Sequence, residues 1–297
     1  MLGGILAVST ASIFIRFAQQ DAPSLVIAAS RLALASLALA PFALLRHRDE
    51  MRRLTKTELT LGLLSGFFLA LHFATWISSL EFTTIASSVV MVSTTPLWVA
   101  LLSPLVLKES LTRSLIIGMV LTLIGGTIVG LSDACQWTGS GGLACPPLGE
   151  FVKGQAFLGN FLALAGAWMA AGYLLVGRRM RAKLSLIPYI FIVYGMAGLV
   201  LIVIMLAAGE SPFGYQPITY LWLLALALIP QLLGHSTFNW ALRYLPASFV
   251  AVTLLGEPIG STILAYFLLR EAPTPLKLAG AACILAGIYI ASRREDK

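Results

Sequence analysis

The chain has 297 residues, of which 58% are hydrophobic and only 11% charged, whereas an ordinary soluble domain carries roughly 25% charged residues. Long windows contain no charge, so the helices of a soluble fold would lack their polar faces; this composition excludes a soluble globular protein and points to an integral membrane protein. The net charge of +7 does not indicate a nucleic-acid partner, because the basic residues sit in short clusters between apolar runs, where membrane topology accounts for them.

A membrane-spanning helix needs roughly 20 mainly apolar residues. Ten such segments are predicted, at 2–18, 24–45, 58–79, 84–106, 113–132, 154–177, 186–208, 218–241, 247–269 and 275–292. The first lacks a basic flank and reads as a spanning helix rather than a cleaved signal. Most connections are short, so neighbouring helices alternate in direction. The longest, 132–153, contains Gly139-Ser140-Gly141-Gly142 and Pro146-Pro147 and reads as an irregular linker. It divides the chain into a first half at 1–132, a linker at 133–153 and a second half at 154–297. Three cysteines are too few for a disulfide framework. Cys135 and Cys145 share the linker and are able to pair, whereas Cys283 lies in an apolar run and reads as packing.

Basic residues set the expected orientation. Alternation puts Arg46, Arg48, Arg52, Arg53, Lys56, Lys108, Arg113, Arg178, Arg179, Arg181, Lys183, Arg243, Arg293, Arg294 and Lys297 on one side, against Arg16, Lys153, Arg270 and Lys277 on the other. Fifteen against four is a clear positive-inside asymmetry, which predicts cytoplasmic termini and an external linker.

The sequence also repeats. A shift of 162 positions carries Pro96 onto Pro258, Lys108-Glu109 onto Arg270-Glu271, Gly118 onto Gly280 and Gly125 onto Gly287. Upstream, with a slip of two, Trp76 matches Trp240, and His72 and His235 lie close by. Five helices per copy is an odd number, so the second copy enters the membrane from the opposite side. The expected fold is therefore an all-α integral membrane protein of ten transmembrane helices, arranged as two inverted five-helix repeats around a central cavity.

Several residues are candidates for that cavity. Arg31, about seven residues into the second helix, either snorkels to the interface or turns inward as a carboxylate clamp. His72 and Trp76 on the third helix, and Gln231, His235, Asn239 and Trp240 on the eighth, form polar stripes that either line a cavity or join helices by hydrogen bonds. Trp98 and Trp168 lie at mid-depth and suit an aromatic or amphipathic solute, or simple packing. Glu257 is a mid-membrane carboxylate whose repeat mate is Thr95; it either couples protons or, protonated or paired, braces its helix. Pro96 and Pro258 are matched helix breakers and candidate hinges. The Lys/Arg-Glu pairs at 108–109 and 270–271 also read as interfacial anchors and caps.

The pattern of Pro96 followed thirteen residues later by Glu109 and then a glycine-rich helix, repeated from Pro258 to Glu271 with Arg31 in the second helix, resembles the EamA family of the drug/metabolite transporter superfamily. The resemblance spans residues 3–292, and the histidines and tryptophans of the third and eighth helices are most similar to the YddG-type aromatic amino-acid exporters of bacterial inner membranes. It implies ten helices, a central cavity and alternating-access export of small metabolites such as amino acids, with a small-molecule substrate and the lipid bilayer as partners. A multidrug or cationic-compound exporter is the rival within transport. A membrane-embedded lipid-modifying enzyme is the rival from another class, and it would need a cluster of catalytic groups near one interface. No HExxH spacing, phosphate-binding loop, catalytic set, metal site or cofactor motif is present. Oligomeric state is not legible, because small-residue faces serve contacts within and between chains alike.

Overall fold

The computed structural model describes residues 1–107, 113–137, 143–245 and 247–292. Lys108, Glu109, Gly139-Ser140-Gly141-Gly142, Arg293, Arg294 and Lys297, which entered the expectations above, lie outside the described residues.

The first half contains α1 (Leu2–Ser9), α2 (Ala11–Ala18), α3 (Ser24–Pro41) with a π turn at Phe42–Arg46, α4 (Arg48–Arg52), α5 (Lys56–Phe82), α6 (Ile85–Val92), α7 (Thr95–Leu107) and α8 (Arg113–Ala134). A two-residue antiparallel ladder, β1 (Gln136–Trp137) with β2 (Leu143–Ala144), and α9 (Leu148–Lys153) give the linker more order than expected. Cys135 and Cys145 are joined in a disulfide across it. The second half contains α10 (Gln155–Arg181), α11 (Leu186–Ala207), α12 (Pro217–Leu226), a π segment at Ala227–His235, α13 (Ser236–Ala241), α14 (Ala247–Thr253), α15 (Gly256–Leu269) and α16 (Pro275–Ser292).

Among the described residues, nine apolar helical stretches stand out. Six, at Ser24–Arg46, Lys56–Phe82, Ile85–Leu102, Gln155–Arg181, Leu186–Ala207 and Pro217–Ala241, are long and apolar enough to cross a membrane by themselves; Leu2–Ala18, Ile116–Val129 and Pro275–Ile290 are shorter apolar stretches. Leu37, Leu105, Leu199 and Phe267 are among many large apolar side chains exposed on the outside. Water would penalise such a surface, whereas lipid does not. The protein is an all-α integral membrane protein.

Local chemistry sets the helix ends. Thr55 and Glu58 form a reciprocal capping box at the start of α5, satisfying two otherwise orphaned backbone donors. Pro217 and Pro275 open α12 and α16, where a missing N–H costs nothing. The N-terminus of α11 is held from a distance: Glu50 on α4 accepts from Ser185 N at 2.7 Å and Ser185 Oγ at 2.5 Å. Burial opposes the charge on Glu50, but the Ser185 bonds and His47 outweigh it and hold the carboxyl below its ordinary range.

The inversion is visible in the packing. α5 and α10 run antiparallel, with Gly159 against Phe82 and Thr83 at one end and Lys183 at 3.6 Å from Glu58 at the other. Consequently Arg16, which bonds to Leu80 and Thr83, and its repeat mate Arg178 stand at opposite ends of the bundle. α8 and α16 also cross antiparallel, with Gly125 on Gly280 and Gly118 on Gly287. Each glycine thus meets its mate's neighbour, as a two-fold axis between inverted copies requires.

Candidate functional site

Two broken helices frame the centre. The fourth segment turns at Ser93–Thr94, between α6 and α7, and the ninth at Leu254–Leu255, between α14 and α15. Both breaks fall just before the proline that was expected to mark them. Pro96 has no N–H for the Val92 carbonyl, and Thr95 Oγ1 takes that carbonyl instead at 2.7 Å, while Thr94 Oγ1 takes Met91 O at 2.8 Å. Hydroxyl groups and proline together unmake the helix ladder here. In the second copy Glu257 N donates to Leu254 O at 2.9 Å, the carbonyl that Pro258 leaves free. α15 packs on α6, and α14 on α7, so the two broken segments lie against each other.

Between them lies a cavity of about 60 Å³, lined by His72, Trp76, Ser93, Thr95, Pro96, Tyr173, His235, Phe238, Leu254 and Glu257 among others. Ligand pockets typically measure roughly 300–1,000 Å³, so this cavity is smaller than most ligands need. His72 Nδ1 donates to Gly166 O at 2.9 Å, and its ring stacks on Trp76 with centroids 5.8 Å apart and planes 12° apart. Tyr173 donates to Asn239 Oδ1 at 2.5 Å. Asn239 Nδ2 donates to the Tyr194 hydroxyl at 3.2 Å, which bonds Ser236 Oγ at 3.2 Å. This network stiffens the wall behind Tyr173.

Arg31 is fully buried, one ring away from the cavity. Its guanidinium lies 4.2 Å above the Phe73 ring, and Phe73 touches His72 at 4.7 Å and His235 at 5.4 Å between centroids. Arg31 Nε donates to Gln231 Oε1 at 2.8 Å, whereas Nη1 and Nη2 have no hydrogen-bond partner. Trp76 Nε1 and Gln231 Nε2 are buried donors in the same condition. Glu257 accepts no side-chain hydrogen bond and makes no salt bridge among the described residues; it interacts with Arg31 only at a distance. A buried charge without a partner costs several kcal/mol, and a buried donor with no protein partner keeps its capacity to bind a further group. The arrangement puts the donors of Arg31 and Gln231 behind the cavity wall, and Trp76 and the Glu257 carboxylate in its lining.

The structure thus brings His72, Trp76, His235, Pro96 and Glu257 to the cavity. Gln231 and Asn239 are fully buried supports behind it, and Pro258 is buried in the first turn of α15. Three tryptophans expected at the centre lie elsewhere. Trp98 and Trp168 meet edge to face at 5.5 Å and line a separate lateral pocket of about 580 Å³ with Leu123, Phe157, Phe161 and Leu164. Trp240 is 48% exposed and packs on Tyr244 with centroids 5.0 Å apart.

The reason for the last correction is helical register. His72 to Trp76 is a step of four, but His235 to Trp240 is a step of five, which leaves the shared face of a helix. Phe238, three residues after His235 and 162 after Trp76, takes the cavity position instead. The π segment over Ala227–His235 uses more residues per turn than an α-helix. Phe73, Tyr173 and Tyr194 were missed because aromatic residues inside apolar helices look like ordinary core.

A sequence profile of the EamA-like transporter family matches residues 1–131 and 157–293. The chain is 25% identical over 284 residues to a protein of Archaeoglobus fulgidus described as an uncharacterized transporter, covering 96% of this chain and 92% of that one. It is 23% identical over 274 residues to the uncharacterized transporter YdfC of Bacillus subtilis, covering 91% and 82%. A solved crystal structure shares the fold with a TM-score of 0.66 at 19% identity, over 98% of this chain and 94% of the other. The chain belongs to the EamA-like transporter family.

Proposed function

We propose that this membrane transporter exports amino acids, aromatic or of broad range, across a bacterial inner membrane by alternating access. In this reading, ten helices cross the bilayer as two inverted halves, at 1–132 and 154–297, with both termini cytoplasmic. The observation that carries the substrate class is the separation of Arg31 from Glu257. A guanidinium with two unpartnered nitrogens and a cavity carboxylate with no salt bridge among the described residues complement the two charges of a zwitterion. The carboxylate would take the Arg31 nitrogens and the ammonium would take Glu257. Trp76, Phe238 and Tyr173 would then face the side chain. Filling a cavity now of about 60 Å³ with a solute of that size requires the broken helices to part, and Ser93–Thr94 and Leu254–Leu255 are the places where they would bend.

Counterflow of radiolabelled amino acids into proteoliposomes tests this, with a panel of aromatic, aliphatic, basic and acidic members. Uptake competed by unlabelled amino acids is the expected result. Silence across the panel in folded protein overturns it. Glu257 in the cavity favours a second reading, an exporter of aromatic or multidrug-type cations, and the same vesicles test it with such cations.

A further inference from the structure

We propose that Glu271 is the moving arm of a latch that holds one end of the transporter shut, with Arg16 as its fixed receptor. This goes beyond the substrate reading and rests only on alternating access. Glu271 belongs to the second half of the chain, yet both oxygens bind the first half. Oε1 pairs with Arg16 Nη2 at 3.2 Å, and Oε2 accepts from Ile85 N at 2.9 Å, in the first turn of α6. The carboxylate therefore ties the tips of α2 and α6 to the tip of α15. Both partners are about three-quarters buried, where an ion pair is less screened than on an open surface.

The receptor is built by the first half alone, since Arg16 Nη1 donates to Leu80 O and Nη2 to Thr83 O at 3.0 Å. The same receptor exists at the opposite end. Arg178 Nη1 donates to Leu242 O at 2.5 Å, and both residues are displaced by 162 positions from Arg16 and Leu80. Two inverted copies thus hold an arginine ready on a carbonyl of their own third helix. At the Arg16 end a carboxylate from the other copy is seated on it, whereas Arg178 makes no salt bridge among the described residues. Glu109, the sequence mate of Glu271, lies outside the described residues and takes no part in the proposal. Glu271 is delivered by Arg270, whose φ of 60° is the one left-handed non-glycine backbone among the described residues. Arg270 is the C-cap of α15, closed by the Glu271 N–H on Ala265 O at 3.3 Å.

The latch predicts which end opens when it is broken. Full-length protein carrying Cys283→Ala and the cavity reporter Ser93→Cys is reconstituted, and a charged, membrane-impermeant methanethiosulfonate is applied from the Arg16 side. Glu271→Gln and Arg16→Gln are each expected to raise the labelling rate at least threefold. The double variant should be no faster than the faster single one, because both remove one contact. Arg178→Gln should not raise it. Should Glu271→Gln fail to fold, Glu271→Asp should give an intermediate rate. Unchanged rates in the Arg16 and Glu271 variants overturn the latch, and so does an equal rise with Arg178→Gln, which would mean general loosening. The readout needs no substrate, so it stands or falls separately from the counterflow result.

Discussion

Gly125 and Gly280 meet backbone to backbone where α8 crosses α16: a Cβ on Gly125 would lie 2.6 Å from Gly280 O, and one on Gly280 would lie 2.9 Å from Gly125 O. Gly118 and Gly287, the repeat mates of Gly280 and Gly125, repeat the contact on the other side of the crossing, where a Cβ on Gly287 would lie 2.7 Å from Gly118 O. The axis between the inverted halves passes between these two contacts, and no side chain fits at either.

Substitution there should therefore cost stability before it costs chemistry. Gly287→Val is expected to destabilise the bundle by about 1–3 kcal/mol through overpacking. Thermal melting of the detergent-solubilised protein would show a fall of several degrees, whereas an unchanged midpoint would mean that the crossing is looser than drawn.

Arg31 is the donor on which amino-acid recognition depends in the proposed function. Arg31→Gln removes a charged hydrogen-bond donor worth about 1.5–3 kcal/mol, so counterflow of amino acids should fall roughly 10- to 100-fold. Amines lacking the carboxylate should be affected least. Equal loss for both classes would assign Arg31 to packing alone.

Phe238 and Trp240 separate the register of the π segment from the sequence match. Phe238 is buried on the cavity wall and Trp240 is 48% exposed. Phe238→Ala should lower the transport rate strongly, and Trp240→Ala should leave it within about twofold, as for an exposed site. The reverse order would return Trp240 to the cavity.

Glu257 carries the prediction about energy coupling. If Glu257 couples protons, Glu257→Gln should remove the dependence of transport on a pH gradient, with ligand binding weakened by loss of the ammonium's partner but still detectable. A gradient dependence equal to that of the parent would exclude a coupling role for this carboxylate.

Glu50 supplies a pH-dependent element of stability outside the spanning helices. Its folded carboxyl is held below the ordinary value by Ser185 and His47, against the effect of burial. A depressed carboxylate contributes fully above its unfolded value and loses that contribution as pH falls through the folded one. The stability gap between the parent and Glu50→Ala, followed by thermal melting, should be largest near neutral pH, about 1 kcal/mol for a lost helix cap. It should close as the pH falls through and below the glutamate range, near about 4.3. A gap that does not change with pH would show that the charge is immaterial.

What the sequence determined by itself is the solvent and the symmetry. Apolar windows and segregated charge specify a helical membrane protein, because lipid accepts only backbones whose hydrogen bonds close internally. The 162-residue echo of Pro96, Gly118 and Gly125 marks two related halves, because close crossings and broken helices tolerate few residue types. Tertiary structure decided which side of each helix meets which neighbour. That is why Trp98 and Trp168 came to a lateral pocket, why Phe238 displaced Trp240, and why Arg31 stands behind Phe73 with only its Nε hydrogen-bonded. In a helix that is apolar all round, periodicity does not distinguish a lipid face from a cavity face. Only packing against the other copy makes that choice, and it is the same packing that seats Glu271 on Arg16.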